Sequence, residues 1–369
     1  MSTHIQKKVL LATPLYPPDI GGPATYATLM VAHLPSRGFD VTVLSFSSVR
    51  GLLKGVRHVL FFFKILWQGW GQEIIFAQDT VSVGFPALCA SWILRLPFVV
   101  RVPGDYAWEQ SVQRYGVKDS IDTFQIKQYG IRVELLRSIQ RVVVAFATTV
   151  IAPSKYFSHL VSRWPKHPNV PLTVVPIYNG IDFSLLPQSS LQEKQNKTIF
   201  SSGRLVPWKG FEAVIHMMLK LPEWHLRIAG EGPDLNKLRQ LVTTLNLESR
   251  VTFLGRLTRD EVCQELSIAN VFVLNTSFES FSFQVVEAMW VGVPVIATSI
   301  GNLSEIIDNE SEGFLVKPDD EEHIVSVIQE LEKNNDLRRR VITRARKKAE
   351  TFSIDNSMDH IARVLTALS

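Results

Sequence analysis

TIFSSGRLVPWKGFEAVIHMML, Thr198–Leu219, holds a complete strand–loop–helix unit. The β-branched and apolar run Thr198–Ser202 stops at Gly203, and a helix with apolar spacing begins at Phe211. Between them lies Gly203-Arg204-Leu205-Val206-Pro207-Trp208-Lys209-Gly210, so Arg204 and Lys209 share one loop at a strand's carboxyl end. Open α/β sheets bind ligands at that end, and two cations there suit a diphosphate. A solvated basic loop is the competing reading. Trp208 stands where a Walker A loop has the glycine before its lysine, which removes the main support for an ATPase.

The same alternation extends in both directions. Upstream, strands are expected at Val9–Thr13, Asp40–Ser45, Glu73–Gln78, Phe98–Pro103 and Thr149–Ala152, with helices at Tyr26–Arg37, Gly51–Gly69, Phe85–Arg95 and Ile131–Ala147. Downstream, strands are expected at His225–Ala229, Val251–Leu254, Val271–Leu274 and Pro294–Ala297, with helices near Leu235–Leu245, Arg259–Ile268 and Val285–Val291. A polar segment rich in Ser and Gln, Pro187–Lys197, separates the two series and reads as a linker. The expectation is α/β, with two tandem domains of parallel sheets: residues 1–186, a linker at 187–197, and residues 198–352. The basic stretch Leu337–Glu350 and a final helix, Asn356–Leu368, follow, and the residues alone leave open which domain the final helix joins.

A length of 369 residues agrees with two domains. With 46% hydrophobic and 20% charged residues, the chain is not a disordered one. The longest apolar stretches, Val81–Leu94 and Val142–Ala152, fall short of the roughly 18–20 residues that cross a bilayer. The start runs directly into VLLAT and a proline-rich loop, so no cleavable leader is expected. The two cysteines, Cys89 and Cys263, fit a reducing compartment and exclude a disulfide scaffold or a multi-cysteine zinc site. A cytoplasmic location is expected. Residues 1–182 carry 18 Lys/Arg against 10 Asp/Glu, and residues 183–369 carry 21 against 25. The first half, at +8, is the one suited to an anionic partner.

Two further motifs carry chemistry. Gly21-Gly22-Pro23 follows the first strand and opens a helix, a place where backbone amides and the helix start favour phosphate, or simply a tight turn. Ser277–Met289 places Glu279 at a strand exit and Glu287 eight residues on, among Val285, Val286, Ala288 and Met289. A carboxylate in such company requires a partner. Sugar or ribose hydroxyls would satisfy it, and so would an arginine.

Taken together, Gly203-Arg204-Leu205 with Lys209-Gly210, Ala229-Gly230-Glu231-Gly232-Pro233, Phe253-Leu254-Gly255, Glu279, Glu287 and Gly292-Val293-Pro294-Val295-Ile296-Ala297-Thr298 resemble the retaining glycosyltransferases of family 4. Gly21-Gly22 and Asn179-Gly180-Ile181-Asp182 extend the resemblance over nearly the whole chain. It implies a GT-B architecture of two Rossmann-like domains facing across a cleft. The first domain would hold the acceptor and the second a nucleotide-sugar donor, with the terminal helix, about residues 353–369, returning to the first domain. By motif matching, Arg204 and Lys209 would bind the donor diphosphate, and the Leu257 backbone would lie near the base. Glu287 would hold the ribose, while Glu279 and the backbone of Phe281, Ser282 and Phe283 would meet the sugar. Gly21 and Gly22 would also face the donor. The leaving group is a nucleoside diphosphate, so stabilising its charge dominates the barrier, a task for cations and amides. No D-x-D and no His/Cys cluster occurs, and neither metal nor cofactor is expected. The chain departs from the family pattern at Ser280 and Ser282, where relatives often have glycine, at Pro103, where many have histidine, and in Gly301-Asn302-Leu303-Ser304-Glu305.

On the acceptor side, Asp105 after the fourth strand is a candidate catalytic residue or a turn aspartate. Arg50, Lys54, Arg57 and Lys64 are expected along one side of a helix, with Leu53, Val56, Leu60, Phe63 and Trp67 along another. Seating on an anionic membrane at the inner face of the cytoplasmic membrane and packing of the apolar stripe against the sheet are both open readings. Tyr106–Arg141 is long for one connection and supplies candidate acceptor elements. No nucleic-acid motif accompanies the charge. The function expected is transfer of a sugar to a glycan or lipid-linked acceptor in cell-envelope polysaccharide or glycolipid synthesis. A nucleotide-sugar epimerase of similar fold and a non-catalytic sugar-nucleotide or glycan binding protein are the alternatives.

Overall fold

The computed structural model describes residues 6–19, 21–53, 55–164, 173–187 and 197–368. The chain divides into two units, Met1–Tyr178 with Ile354–Ser369, and Asn179–Ser353.

The first unit is built on six parallel strands: β1 (Lys7–Thr13), β2 (Phe39–Ser45), β3 (Ile74–Ala77), β4 (Phe98–Arg101), β5 (Thr149–Ala152) and β6 (Val174–Pro176). Their order across the sheet is β2-β1-β3-β4-β5-β6. Strands β3, β4 and β5 are buried at every position, as expected for strands covered on both faces, and this explains their largely apolar sequences, the exceptions being Thr149 and Arg101, whose guanidinium lies 3.8 Å over the Tyr26 ring. The long connection after β4 folds into helices Tyr106–Arg114, Ile121–Ile126 and Ile131–Ala145.

The last helix, Ile354–Thr366, belongs to this unit, as the resemblance implied. Ile354, Met358, Ile361 and Leu365 recur with a helical period and enter the core that contains Val9, Leu11, Met30 and Phe76. Arg37 clasps the helix from outside, with Nε 2.7 Å from Asp359 Oδ1 and Nη2 2.9 Å from Asp355 Oδ1.

The second unit has a sheet of β7 (Thr198–Ser202), β8 (His225–Ala229), β9 (Val251–Gly255), β10 (Val271–Leu274), β11 (Val295–Thr298) and β12 (Phe314–Val316), all parallel, in the order β12-β11-β10-β7-β8-β9. The chain winds outward from β7 in one direction through β8 and β9, and in the other through β10, β11 and β12. The switch in direction lies between β7 and β10, and a crevice opens at the carboxyl ends of strands at such a point.

Three expectations are corrected. Asn179–Leu186, expected to end the first domain, lies in the second unit: Ile181 N–H donates to Phe352 O (2.9 Å), the Phe183 ring stacks on Trp290 at 4.3 Å, and Trp290 Nε1 reaches Leu186 O (3.4 Å). Residues 188–196 of the expected linker lie outside the described residues. The helix expected from Gly51 begins at Val56, after Gly55 at φ 94°, so Arg50 sits beyond a preceding short turn, off the helix. Its core face is Phe61, Ile65 and Gly69, and the stripe Leu53, Val56, Leu60, Phe63 and Trp67 faces solvent. Gly69 is small where the helix meets Leu94; a Cβ there would fall 2.6 Å from Leu94 Cδ1.

Candidate functional site

In the second unit, the loops leaving β7 and β8 pack backbone to backbone. Gly203 N–H donates to Ala229 O (3.0 Å) and Leu205 N–H to Glu231 O (2.9 Å). A Cβ at Gly230, whose φ is 137°, would lie 1.8 Å from Gly203 O, so only glycine allows this approach. The β7 loop is then tied to the loop leaving β10. Asn275 Nδ2 donates to Gly210 O (3.0 Å) and to Asp319 Oδ1 (2.8 Å), and Thr276 Oγ1 and Ser277 N–H both donate to Trp208 O (2.9 and 2.8 Å). Asn275 and Thr276 are buried, which makes these bonds part of a rigid frame.

On that frame Lys209, from the β7 loop, pairs with Glu279, from the β10 loop. Their side chains keep only 12% and 13% of their exposure, so water screens them less than a surface pair. The Lys209 stem runs beside Gly203, with Cδ 3.8 Å from where a Cβ would stand. Arg204 is exposed on the same loop. The geometry therefore brings Arg204, Lys209 and Glu279 to the switch point.

Glu287 lies within helix Phe283–Val291, which Ser282 caps through its side chain at Val285 N–H (3.4 Å). Ser282 adopts φ −101°, a conformation open to any residue, so serine in place of glycine carries no backbone strain here. Phe281 is buried, its ring edge-on to Phe283 and Phe352, which anchors the turn. The partner of Glu287 is Arg259, with Nε 3.3 Å from Oε1. Burial pushes the Glu287 carboxyl above its ordinary pKa, and the neighbouring guanidinium opposes that rise. Arg259 also donates to Asp182 O (3.3 Å) and begins helix Arg259–Ile268, whose start Thr258 and Glu261 close with a capping box. Sequence reasoning missed Arg259. Its position two residues after Leu257, on a loop at the carboxyl end of β9, was the available signal. Leu257 is half-buried on that loop. Asn302, after β11, is fully buried, and neither polar atom of its amide has a partner among the described residues.

The first unit presents a different picture. Gly21 (φ 157°) precedes helix Gly22–His33, whose first turn carries no acid. Asp105 is fully buried: Oδ1 accepts from Trp108 N–H (3.0 Å) and Gln140 Nε2 (2.9 Å), and Oδ2 from Gln125 Nε2 (2.8 Å). It is a helix cap that ties the three inserted helices together, a correction to its candidacy as a catalytic group. Arg137 in the same insert is buried and donates to Lys127 O and Gln125 O (2.8 and 2.9 Å), so it too builds the fold. Asp79, after β3, escaped the sequence reading. Its Oδ1 accepts from Val83 N–H (2.9 Å), and burial raises its pKa against the backbone donors. Of the expected basic helix side, Lys54 lies outside the described residues, Arg50 reaches Asp19 (3.4 Å), and Lys64 donates to Ser48 Oγ (3.0 Å).

Comparison with known proteins addresses the second unit directly. Residues 182–348 match the family model of glycosyl transferases group 1. The chain is 27% identical over 187 residues to an uncharacterized glycosyltransferase of Haemophilus influenzae, covering 49% of this chain and 52% of that one. It spans about half the length of the curated relatives it matches first. Two solved structures follow the chain almost end to end. Sucrose-phosphate synthase from Thermosynechococcus elongatus has a TM-score of 0.79 at 18% identity, covering 98% of this chain and 99% of that one. Anabaena HepE, solved in complex with UDP-glucose, has a TM-score of 0.76 at 19% identity, covering 98% and 99%. At such identities the likeness concerns fold, and the fold is GT-B: two α/β units, each on a six-stranded parallel sheet.

Proposed function

We propose that this chain is a retaining, metal-independent glycosyltransferase of family 4 that moves a sugar from a nucleotide-sugar donor to a glycan or lipid-linked acceptor, in cell-envelope polysaccharide or glycolipid synthesis. The observation that carries this reading is the half-buried Lys209–Glu279 pair at the β7/β10 switch point, with Arg204 on the same loop. When the bond between the anomeric carbon and the diphosphate breaks, negative charge grows on the leaving phosphate. An ammonium and a guanidinium already fixed beside it stabilise that charge with little reorganisation. In the absence of donor, Glu279 occupies Lys209; phosphate oxygens take over that cation and leave the carboxylate to accept from sugar hydroxyls. Glu287, paired with Arg259, accepts from the ribose hydroxyls. The acceptor hydroxyl attacks the face the leaving group departs from and gives its proton to a departing phosphate oxygen, so no protein nucleophile is required. The site works in the cytoplasm or at the inner face of its membrane. Among the described residues no helix is long and apolar enough to cross a bilayer.

The test is transfer from UDP-, GDP- and ADP-sugars to lipid extracts and oligosaccharides, with the product's anomeric configuration read by NMR and the rate measured with and without EDTA. A product with the donor's configuration and an EDTA-insensitive rate are expected. Inversion, or activity lost to EDTA and restored by magnesium, would contradict the mechanism, and donor binding without turnover would favour a binding protein.

A further inference from the structure

Helix Val56–Gly69 carries a second apolar arc besides the one its core packing uses. At about 100° per residue, Phe61, Ile65 and Gly69 centre on the packed side, and Val56, Leu60, Phe63 and Trp67 centre about 180° away. Those four are between 42% and 86% exposed. Leu53 before the helix and Trp70 after it are exposed as well, and they lengthen the stripe. Helix Gly84–Leu94, which meets Gly69 through Leu94, adds exposed Trp92 and Ile93 at the same end. Contiguous apolar surface of this kind marks an interaction site.

The charges beside the stripe identify the occupant. Exposed cations flank it: Lys64 at the side of the arc, about 80° from its centre, and Arg95 just after helix Gly84–Leu94, whereas Arg57 is half-buried with its guanidinium over the Phe46 ring. No Asp or Glu occurs between Asp40 and Glu73, nor between Asp79 and Asp105, so nothing acidic on either helix opposes a negative surface. Exposed tryptophans, an apolar arc and flanking cations without anions are the features of a helix lying in a bilayer interface. The helix, about 21 Å long at 1.5 Å per residue, is too short to span.

We infer that this face seats on an anionic phospholipid bilayer, with Phe63 and Trp67 entering the boundary between headgroups and acyl chains while Lys64 and Arg95 meet lipid phosphates. Such seating does not depend on the transfer chemistry, and its test uses neither donor nor acceptor. The full-length protein is sedimented with vesicles of phosphatidylcholine, with and without phosphatidylglycerol. Wild type binds the anionic vesicles and shows a blue shift of tryptophan emission. F63S/W67S, altered only at exposed positions, keeps the wild-type melting curve and loses about a hundredfold in partitioning. K64E/R95E loses about tenfold or more on anionic vesicles and little on neutral ones. Absence of wild-type binding, or F63S/W67S binding as wild type does, would overturn the inference. A concentration-dependent dimer that F63S/W67S dissolves, without vesicle binding, would overturn it in favour of a second copy of the chain.

Discussion

Both sheets wind outward from their first strand, with one strand on one side and four on the other in the first unit and two and three in the second, and they use charge in opposite ways. At the β7/β10 switch of the second unit, Lys209 and Glu279 come from separate loops and stay partly open to solvent, as the proposed exchange of partners for a ligand requires. In the first unit, Asp79 and Asp105 follow β3 and β4 and are buried, their oxygens taken by backbone N–H groups and glutamine amides. A charge at a strand's carboxyl end is thus no guide to function until its partners are known. A carboxylate satisfied by backbone N–H groups and neutral amides of its own unit builds that unit, whereas one whose partner is an opposite charge on another loop is the one we propose meets a substrate.

The largest effect that would break this contrast is on turnover. Lys209→Ala should lower kcat by about 10²–10³-fold in protein that remains folded; urea titration and initial rates on one preparation report both. Asp105→Ala should do the reverse. It strands the Gln140 amide and the Trp108 N–H in the interior and takes one acceptor from Gln125, at a cost of roughly 3 kcal/mol, and protein that remains folded should keep its kcat. A loss of kcat in folded Asp105→Ala would return that residue to the site.

A smaller effect concerns pH. Burial raises the pKa of Glu287, so its carboxylate form is lost, as pH falls, earlier than for an ordinary glutamate. Donor affinity should weaken over that acid-side window. Glu287→Gln should bind about tenfold more weakly at neutral pH and show a flattened profile there. An unchanged profile in the variant would remove Glu287 from the donor's ribose.

Much of this contrast was legible in the residues. The β7 loop announces itself by glycines that bracket two cations, and the ten strands expected from apolar runs all form. Strands β6 and β12 escaped notice because three residues, one of them Pro176, set no period. Arg259 was missed because an arginine at a helix start looks solvated until the fold places Glu287 beside it. The outer stripe of helix Val56–Gly69 was read alongside a core-packing alternative for a different reason: two apolar arcs on opposite sides satisfy the same periodicity, and only the packing of Phe61 and Ile65 decides which one turns inward. Periodicity locates an apolar face but does not say what covers it.

The exchange of partners at Lys209 is tested most directly by calorimetric titration of UDP-, GDP- and ADP-sugars into wild type, Lys209→Ala and Glu279→Gln. At least one donor should bind wild type, bind Lys209→Ala at least about tenfold more weakly, and lose its affinity for wild type as salt rises. Equal affinity for wild type and Lys209→Ala, or no donor bound by wild type, would contradict the assignment of this switch point to a nucleotide-sugar.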